Sequence, residues 1–261
     1  MIISPKHKYI FFKSLKTAGS SVEKALHDTL DETSFCSGGY DRMTEAWEYE
    51  PINQAMVYIN EDGEQEVHDR FQQHTPPSYF FEKIKKPEVY KPYRKITIVR
   101  NPWDMIVSYY WYQATVSPEA FDFGGVNLFI NEKDSKKEAR RKFNIWLHMP
   151  FRFTSHTSKI DNPDGEEHVI LDWLIDQQER FGLSNHVTDF MRFEKLDSHF
   201  KALCKYIGCE QRELPRLKSH SNKTKREHYS YYFNRKCEKL IKQRMSKFID
   251  KFGYTFDRRV K

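Results

Sequence analysis

The sequence predicts an α/β fold in which helices flank a central parallel sheet. Two apolar runs, Tyr9–Phe12 and Ile96–Val99, are short and rich in aromatic or β-branched residues, as buried strands are. Each run is followed by a loop and then by apolar residues at helical spacing, an alternation typical of parallel sheets. A chain of 261 residues can bury about three quarters of its unfolded surface in one core. No linker-like stretch or internal repeat interrupts it, so we expect a single domain over residues 1–261.

The N-terminal half is predicted to place a helix and a hairpin between the two strands. The helix over Ser20–Leu30 carries apolar residues on one face. A hairpin over Met56–Val67 turns around an Asp-Gly pair at positions 62 and 63, because that pair favours tight turns. A further helix begins at Ser78, ahead of the second strand.

The C-terminal half is predicted to be mainly helical. A helix follows Pro102, and Asp104 can cap it because a short acidic side chain accepts hydrogen bonds from first-turn N–H groups. Helical spacing of apolar residues predicts three more helices, over Lys136–His148, Ser198–Ile207 and Asn234–Phe252. The last of these also carries many basic residues, which we interpret mainly as its solvated face.

The stretch 14–21, which reads SLKTAGSS, has the composition of a phosphate-binding loop between a strand and a helix. Small residues let backbone N–H groups approach an oxyanion, and the helix dipole adds positive potential there. Lys16 contributes a full positive charge. The pattern differs from an ATP or GTP loop, because Lys16 precedes the sole glycine of the stretch instead of following a second one. The small residues are Thr17, Ala18, Gly19, Ser20 and Ser21.

A second anion-binding element is predicted after the second strand. Arg100 stands at the strand tip and Ser108 lies two turns into the following helix, so both can reach one phosphate. The planar guanidinium group of arginine donates two parallel hydrogen bonds to such a group. Ligands of α/β sheets bind at the carboxyl ends of the strands, which puts Lys16 and Arg100 at the same edge.

Together these segments resemble the sulfotransferase family that uses 3′-phosphoadenosine 5′-phosphosulfate (PAPS), especially its carbohydrate-modifying branch, with a P-loop-NTPase-like fold. In that family a P-K-T-A-G-[TS]-S loop holds the 5′-phosphosulfate, and Leu15 replaces its proline here. An R-[ND]-P segment and a helical serine at the spacing of Arg100 and Ser108 hold the 3′-phosphate. Weaker likeness extends through Met191–Leu196 and Asn222–Tyr254. It implies nucleotide contacts by Asn222, Lys223 and Thr224.

The resemblance also implies in-line sulfuryl transfer to a hydroxyl group, without a metal. His74 is the predicted general base, because histidine titrates near neutral pH and the family carries a histidine between its first helix and the 3′-phosphate strand. Lys16 would neutralise charge developing on the bridging oxygen. His156 and Glu82 are the competing candidates for the base. The segments 31–70 and 113–186 carry no motif that we can assign to the family and are expected to shape the acceptor site.

Charge and composition leave two other functions open. The net charge of +6 favours anionic ligands, but no nucleic-acid-binding motif accompanies it. One alternative is a P-loop kinase that uses ATP and Mg²⁺, and the displaced lysine argues against it. The other is a non-catalytic protein that binds the nucleotide or a sulfated glycan. Four cysteines without metal-site spacing predict free thiols, and the absence of a signal-like or membrane-spanning segment predicts a cytoplasmic protein outside the membrane.

Overall fold

The computed structural model describes residues 1–41, 46–53, 57–59, 65–67, 71–123, 125–151, 168–209, 213–217 and 226–259. Within these residues the strands are β1 Ile2–Ser4, β2 Tyr9–Phe12, β3 Phe35–Cys36, β4 Gly39–Asp41, β5 Ala46–Tyr49, β6 Val57–Ile59, β7 Gln65–Val67, β8 Arg94–Val99, β9 Asp122–Phe123, β10 Val126–Asn127, β11 Pro150–Phe151, β12 His168–Val169 and β13 Asp189–Arg192. The α-helices are α1 Gly19–His27, α2 Pro77–Lys83, α3 Pro102–Val116, α4 Lys136–Leu147, α5 Ile170–Gly182, α6 Leu196–Ile207, α7 Arg235–Arg244 and α8 Ser246–Phe252.

The central sheet has five strands in the order β13-β8-β2-β1-β3. β13, β8 and β2 run parallel, with Phe12 opposite Thr97 and Arg192 opposite Val99. At one side β1 pairs antiparallel with both β2 and β3, so β1 runs against the other four strands and the sheet is mixed where the sequence predicted a parallel one. β1 and β2 are joined by only four residues, and a connection this short permits antiparallel pairing alone.

The sheet is buried on both faces, because side chains alternate along β2. Tyr9 and Phe11 point to a cluster built with α1 and α6, whereas Ile10 and Phe12 point to a cluster built with α2. Phe80 of α2 is fully buried there. All of these elements belong to one compact unit, residues Met1–Val99 and Arg180–Leu217. The protein is therefore an α/β protein with helices on both faces of its central sheet.

The second compact unit comprises Arg100–Glu179 and Lys218–Lys261. Its core is aromatic: the ring of Tyr110 in α3 packs edge-on against Phe121 and Trp146. The hydroxyl group of Tyr110 donates to the carbonyl oxygen of Leu128 at 2.9 Å and accepts from the N–H of Ile130 at 2.9 Å. The expectation of one domain over 1–261 stays a prediction.

Two local predictions are wrong. α3 is capped by Asn101, whose side-chain oxygen accepts from the N–H groups of Trp103 and Asp104, because Asp104 itself is bound to arginine side chains. The single helix predicted over Asn234–Phe252 is two helices. They meet at Met245, which leaves helical geometry at φ −100° and ψ 24° although no glycine or proline marks the break.

The other elements that the sequence predicted agree with the structure within a few residues, whereas helix α5 and strands β9–β12 have no counterpart among the predicted elements. The predicted hairpin is present as the antiparallel pair β6 and β7, and its Asp-Gly turn lies outside the described residues. All four cysteines are free thiols, as predicted. Among the helices in the described part of the chain, none combines the length and apolarity needed to cross a bilayer.

Candidate active site

The loop between β2 and α1 has an unusual backbone. Lys16 and Ala18 both lie in the left-handed region, with φ of 56° and 64°. That region costs a residue with a side chain roughly 1–2 kcal/mol, and glycine would be its usual occupant. Left-handed residues within a loop turn successive N–H groups toward a common point, which makes an anion-binding concavity. The backbone therefore supports the phosphate-loop prediction by a signal that the residue types did not carry.

Hydrogen bonds inside the loop hold this conformation. The Thr17 hydroxyl donates to the carbonyl oxygen of Ser14 at 3.0 Å, and the two hydroxyl oxygens are 2.9 Å apart. The Ser14 hydroxyl in turn donates to the carbonyl oxygen of Ile98 in β8. Thr17 is buried and its hydroxyl is used inside the loop, so Thr17 can offer a ligand only its backbone N–H. Lys16, Ala18 and Ser20 keep partial exposure.

The first turn of α1 begins without a side-chain cap. Ala18 is the N-cap residue and has no polar side chain that could accept from first-turn N–H groups. Gly19 follows it in a tightly packed place, since a Cβ atom there would lie 2.6 Å from Cγ of Lys13. The Ser21 hydroxyl accepts from the N–H of Leu217 at 3.4 Å. These features suit an anion at the helix N-terminus, with Gly19 needed for close packing.

A buried charge cluster lies at the base of the loop. Lys13, the residue after β2, is 3% exposed, and its Nζ donates to Glu23 Oε2 at 2.8 Å. Glu23 is fully buried in α1 and also accepts from the Tyr49 hydroxyl and the amino group of Met1. Burial acts to raise the pKa of Glu23, but the positive charges of Lys13 and the amino group outweigh it and lower the pKa to about 2. Glu23 is therefore ionised at neutral pH.

His74 is attached to the same cluster. Its Nδ1 lies 2.9 Å from the carbonyl oxygen of Lys13. A carbonyl oxygen can only accept, so Nδ1 carries the proton and Nε2 keeps a lone pair in the neutral ring. Burial, assisted by the positive charge of Lys13, lowers the pKa of His74 to about 3. The imidazole is therefore neutral at physiological pH, which is the state a general base requires.

Arg100 belongs to a second charge cluster, at the start of α3. It is 6% exposed, and its Nε donates to Asp104 Oδ2 at 2.7 Å. The other carboxylate oxygen of Asp104 accepts from Arg226, whose guanidinium also donates to the Asp104 carbonyl oxygen at 3.3 Å. Burial would raise the pKa of Asp104, but the two arginines hold it below its usual range. The cluster of two guanidinium groups and one carboxylate therefore has a net positive charge.

The other predicted site residues divide between described and undescribed parts of the chain. Ser108 lies in α3 and is almost buried. Asn222, Lys223 and Thr224 lie outside the described residues, as does His156. Glu82 is a largely exposed residue of α2 that pairs with Lys83 at 3.0 Å, which makes it a poor candidate for a base.

Sequence reasoning did not identify three charged residues that the structure places in these clusters, Lys13, Glu23 and Arg226. One signal for Lys13 was available, since a lysine that directly ends a buried strand must be paired or partly exposed. Trp103 is 1% exposed with its ring edge-on to Phe256, so it is a core residue. In the described part of the chain, no three His, Cys, Asp or Glu residues are grouped closely enough to hold a metal ion.

Comparison with known proteins assigns the chain to one family. The sequence profile described as the Sulfotransferase family matches residues 1–254. No curated protein and no solved structure matches the chain. The matched range includes the loop after β2, His74, Arg100 and Arg226. Because the match covers nearly the whole chain, the protein belongs to the sulfotransferase family and is a PAPS-dependent sulfotransferase.

Proposed function

We propose that the enzyme transfers the sulfuryl group of PAPS to a carbohydrate hydroxyl group, with His74 as the general base. The observation that carries this proposal is the left-handed backbone of Lys16 and Ala18 directly before α1. Backbone strain of this kind persists where the surrounding structure enforces it, and it clusters at ligand sites. Here it prepares a concavity of N–H groups at the positive end of a helix dipole.

The loop after β2 is proposed to hold the 5′-phosphosulfate of PAPS. When bound, PAPS supplies the sulfuryl group, and 3′,5′-adenosine bisphosphate (PAP) is the leaving product. Lys16 offers a cation next to the concavity, and the absence of a side-chain cap leaves first-turn N–H groups of α1 for the anion. The remaining ligands are proposed to be the backbone N–H groups of Thr17, Ala18, Gly19 and Ser20 and the hydroxyl groups of Ser20 and Ser21. The backbone N–H of Ser21 donates to the carbonyl oxygen of Ala18 at 3.1 Å, so Ser21 would contribute its side chain.

The 3′-phosphate is proposed to bind at Arg100 and Ser108. β2 and β8 are parallel neighbours, so the chain leaves both strands at the same edge of the sheet, and Arg100 is the first residue after β8. Asp104 orients the Arg100 guanidinium and supplies a counter-charge while no phosphate is bound. Arg226 donates to the same carboxylate, so we add Arg226 to the proposed ligands of the 3′-phosphate. Family likeness alone supports nucleotide contacts by Asn222, Lys223 and Thr224.

His74 is proposed to accept the proton of the acceptor hydroxyl at Nε2. The oxygen of the acceptor forms a bond to sulfur while the bond from sulfur to the bridging phosphate oxygen breaks. The Nδ1–H bond to the Lys13 carbonyl keeps the Nε2 lone pair available throughout. Lys16 offsets the negative charge that develops on the bridging oxygen. Anionic substrates near the ring would raise the pKa of His74 from about 3, which would strengthen it as a base.

The proposal of a carbohydrate acceptor is supported by the likeness of the loop sequence to the carbohydrate-modifying branch of the family. Aromatic side chains do not strengthen it, because Trp111, Phe121 and Trp146 are buried core residues, so none of them offers a sugar an open ring face. A phenol or another alcohol is the competing acceptor class.

Calorimetric titration with PAP in the presence of EDTA tests the donor site. We expect the wild type to bind PAP without metal, and Lys16→Ala and Arg100→Ala each to weaken binding at least tenfold through loss of a charge-assisted contact. Lys239→Ala removes a lysine from an exposed helix position and should leave binding unchanged. Binding of ATP with Mg²⁺ in place of PAP would contradict the proposal.

Turnover assays test the base and the acceptor. His74→Ala should bind PAP like the wild type and lose on the order of a hundredfold or more in kcat, as expected when a general base is removed. Retained turnover would exclude His74 as the base. In a screen of sugars and phenols, sulfation of sugars only is the expected result, and sulfation of phenols only would overturn the carbohydrate assignment.

A further inference from the structure

Lys13 contacts the His74 segment at two points. Its backbone carbonyl oxygen accepts from Nδ1 of His74 at 2.9 Å, and its side-chain Nζ donates to Oε1 of the preceding residue, Gln73, at 3.2 Å. His74 lies in a segment without helix or strand, between Phe71 and Pro76. No helix or strand hydrogen bonds hold the backbone of His74 there, so the contacts with Lys13 are needed to fix the imidazole ring.

Lys13 is itself held by its surroundings. Nζ donates to Glu23 at 2.8 Å and lies 3.3 Å from the Tyr49 hydroxyl, which also donates to Glu23. Both charged side chains are almost fully buried, so solvent cannot replace either partner. A buried pair of this kind adds little net stability compared with a well-packed apolar pair, whereas it fixes geometry strongly. Its retention beside His74 therefore favours a role in positioning.

We propose that Lys13 and Glu23 are positioning residues, and that this buried pair holds His74 in one orientation and in the Nδ1–H tautomer that a base needs. The inference rests on the proposed function of His74. Glu23 anchors the side chain of Lys13, and the anchored lysine presents its carbonyl oxygen to the ring and its ammonium group to Gln73. The reaction thereby depends on two charges that contact neither donor nor acceptor.

The charges around His74 give the proposal a second signature. Lys13 and the amino group of Met1 favour the neutral ring, whereas Glu23 favours the protonated ring, and the effect of Lys13 is larger than that of Glu23. Removing Lys13 and Glu23 together should therefore raise the pKa of His74 from about 3. Greater exposure of the ring would also raise its pKa, because burial is the largest cause of the low value, so the comparison requires a double variant whose fold is intact.

The experiment uses the full chain and the double variant Lys13→Met/Glu23→Gln. It removes both charges at similar volume, and the amide oxygen of Glu23→Gln can still accept from the amino group of Met1, whose pKa is lowered by burial. Nitrogen-15 NMR of the histidine rings at pH 7 reports the tautomer of His74, and His74→Gln identifies its signal. We expect an Nε2–H population in the double variant, none in the wild type, and a His74 titration that is displaced to higher pH.

Kinetics complete the test. The double variant should lose about tenfold in kcat, because small displacements of a catalytic group are costly, while its KM for PAPS and Kd for PAP change less than threefold. Lys13→Arg keeps the charge pair and should keep the wild-type tautomer. Asp134→Asn is the matched control, since it breaks another largely buried pair, with Lys142 at 2.9 Å, that does not contact His74.

The outcomes separate this inference from the proposed function. An unchanged tautomer and titration in the folded double variant would overturn the positioning role, even if His74→Ala proves that His74 is the base. If His74→Ala retains turnover, the base assignment fails, while the NMR result still decides whether the pair fixes the ring. Should the double variant not fold, Gln73→Leu removes one of the two contacts and must show the same change of tautomer to a smaller extent.

Discussion

Two single substitutions at the start of α1, Gly19→Ala and Ala18→Gly, should change the free energy of unfolding in opposite directions. In Gly19→Ala the new Cβ would lie 2.6 Å from Cγ of Lys13, far inside normal contact. The lysine stem cannot swing aside, because its Nζ is held by Glu23 at 2.8 Å. Overpacking of this kind costs about 1–3 kcal/mol. Ala18→Gly should instead stabilise by about 1 kcal/mol, since Ala18 has φ 64° and glycine adopts that region without strain.

Urea unfolding of the two variants and the wild type measures both effects. A difference of about 2–4 kcal/mol between Ala18→Gly and Gly19→Ala is expected from the two contributions, which corresponds to several degrees in Tm. PAP titration should show about tenfold weaker binding for Gly19→Ala, because relief of the clash must move the loop or Lys13. Ala18→Gly should bind within threefold of the wild type, since glycine supports the same backbone.

The reasoning would be refuted by equal stabilities of the two variants. It would also be refuted if Ala18→Gly destabilised the protein, because the left-handed backbone would then not be strained. A Gly19→Ala variant that lost stability and kept full PAP affinity would separate the packing of the loop from its proposed role in binding.

Three further perturbations have defined outcomes. Asp104→Asn should destabilise the free protein by about 2–4 kcal/mol, because two largely buried arginines lose a shared counter-charge. PAP should raise the Tm of this variant more than it raises the Tm of the wild type. Equal increases in Tm would show that the phosphate binds elsewhere. The pKa of His74 is about 3 in the folded protein and 6.5 when unperturbed, so the unfolded state binds more protons below pH 6.5 and stability is lost between pH 6.5 and 3. His74→Gln should remove on the order of 2 kcal/mol of the loss between pH 7.5 and 4.5, measured by urea midpoints, and an unchanged loss would contradict the shift. Tyr49→Phe removes one donor to Glu23 and should cost about 1 kcal/mol in the same assay, with no loss if that bond contributes nothing.

Local sequence patterns predicted the helices and strands whose formation depends mainly on residues close together in the sequence. Tyr9–Phe12 and Ile96–Val99 are strands as predicted, because a continuous short apolar run is buried between two layers. The second strand begins two residues before its predicted start, at Arg94. Helix ends agreed within a few residues, because apolar residues at helical spacing and capping residues mark them in the sequence. The cap of α3 was assigned to the wrong residue. Asn101 directly precedes the proline that opens the helix, which is the usual position of a cap, whereas Asp104 lies inside the first turn and binds two arginines.

The sequence by itself determined the α/β class, the small-residue loop with its lysine, and the family, because these depend on residue types at fixed spacing. Only the tertiary structure decided that Lys16 and Ala18 are left-handed, that Lys13 pairs with Glu23 beneath His74, and that Arg226 joins Arg100 at Asp104. Lys13 and Glu23 are ten positions apart, His74 is sixty-one from Lys13, and Arg226 is 122 from Asp104. A buried charge needs a partner that only the fold brings near it, so the local sequence can indicate that Lys13 needs a partner but not which residue that partner is.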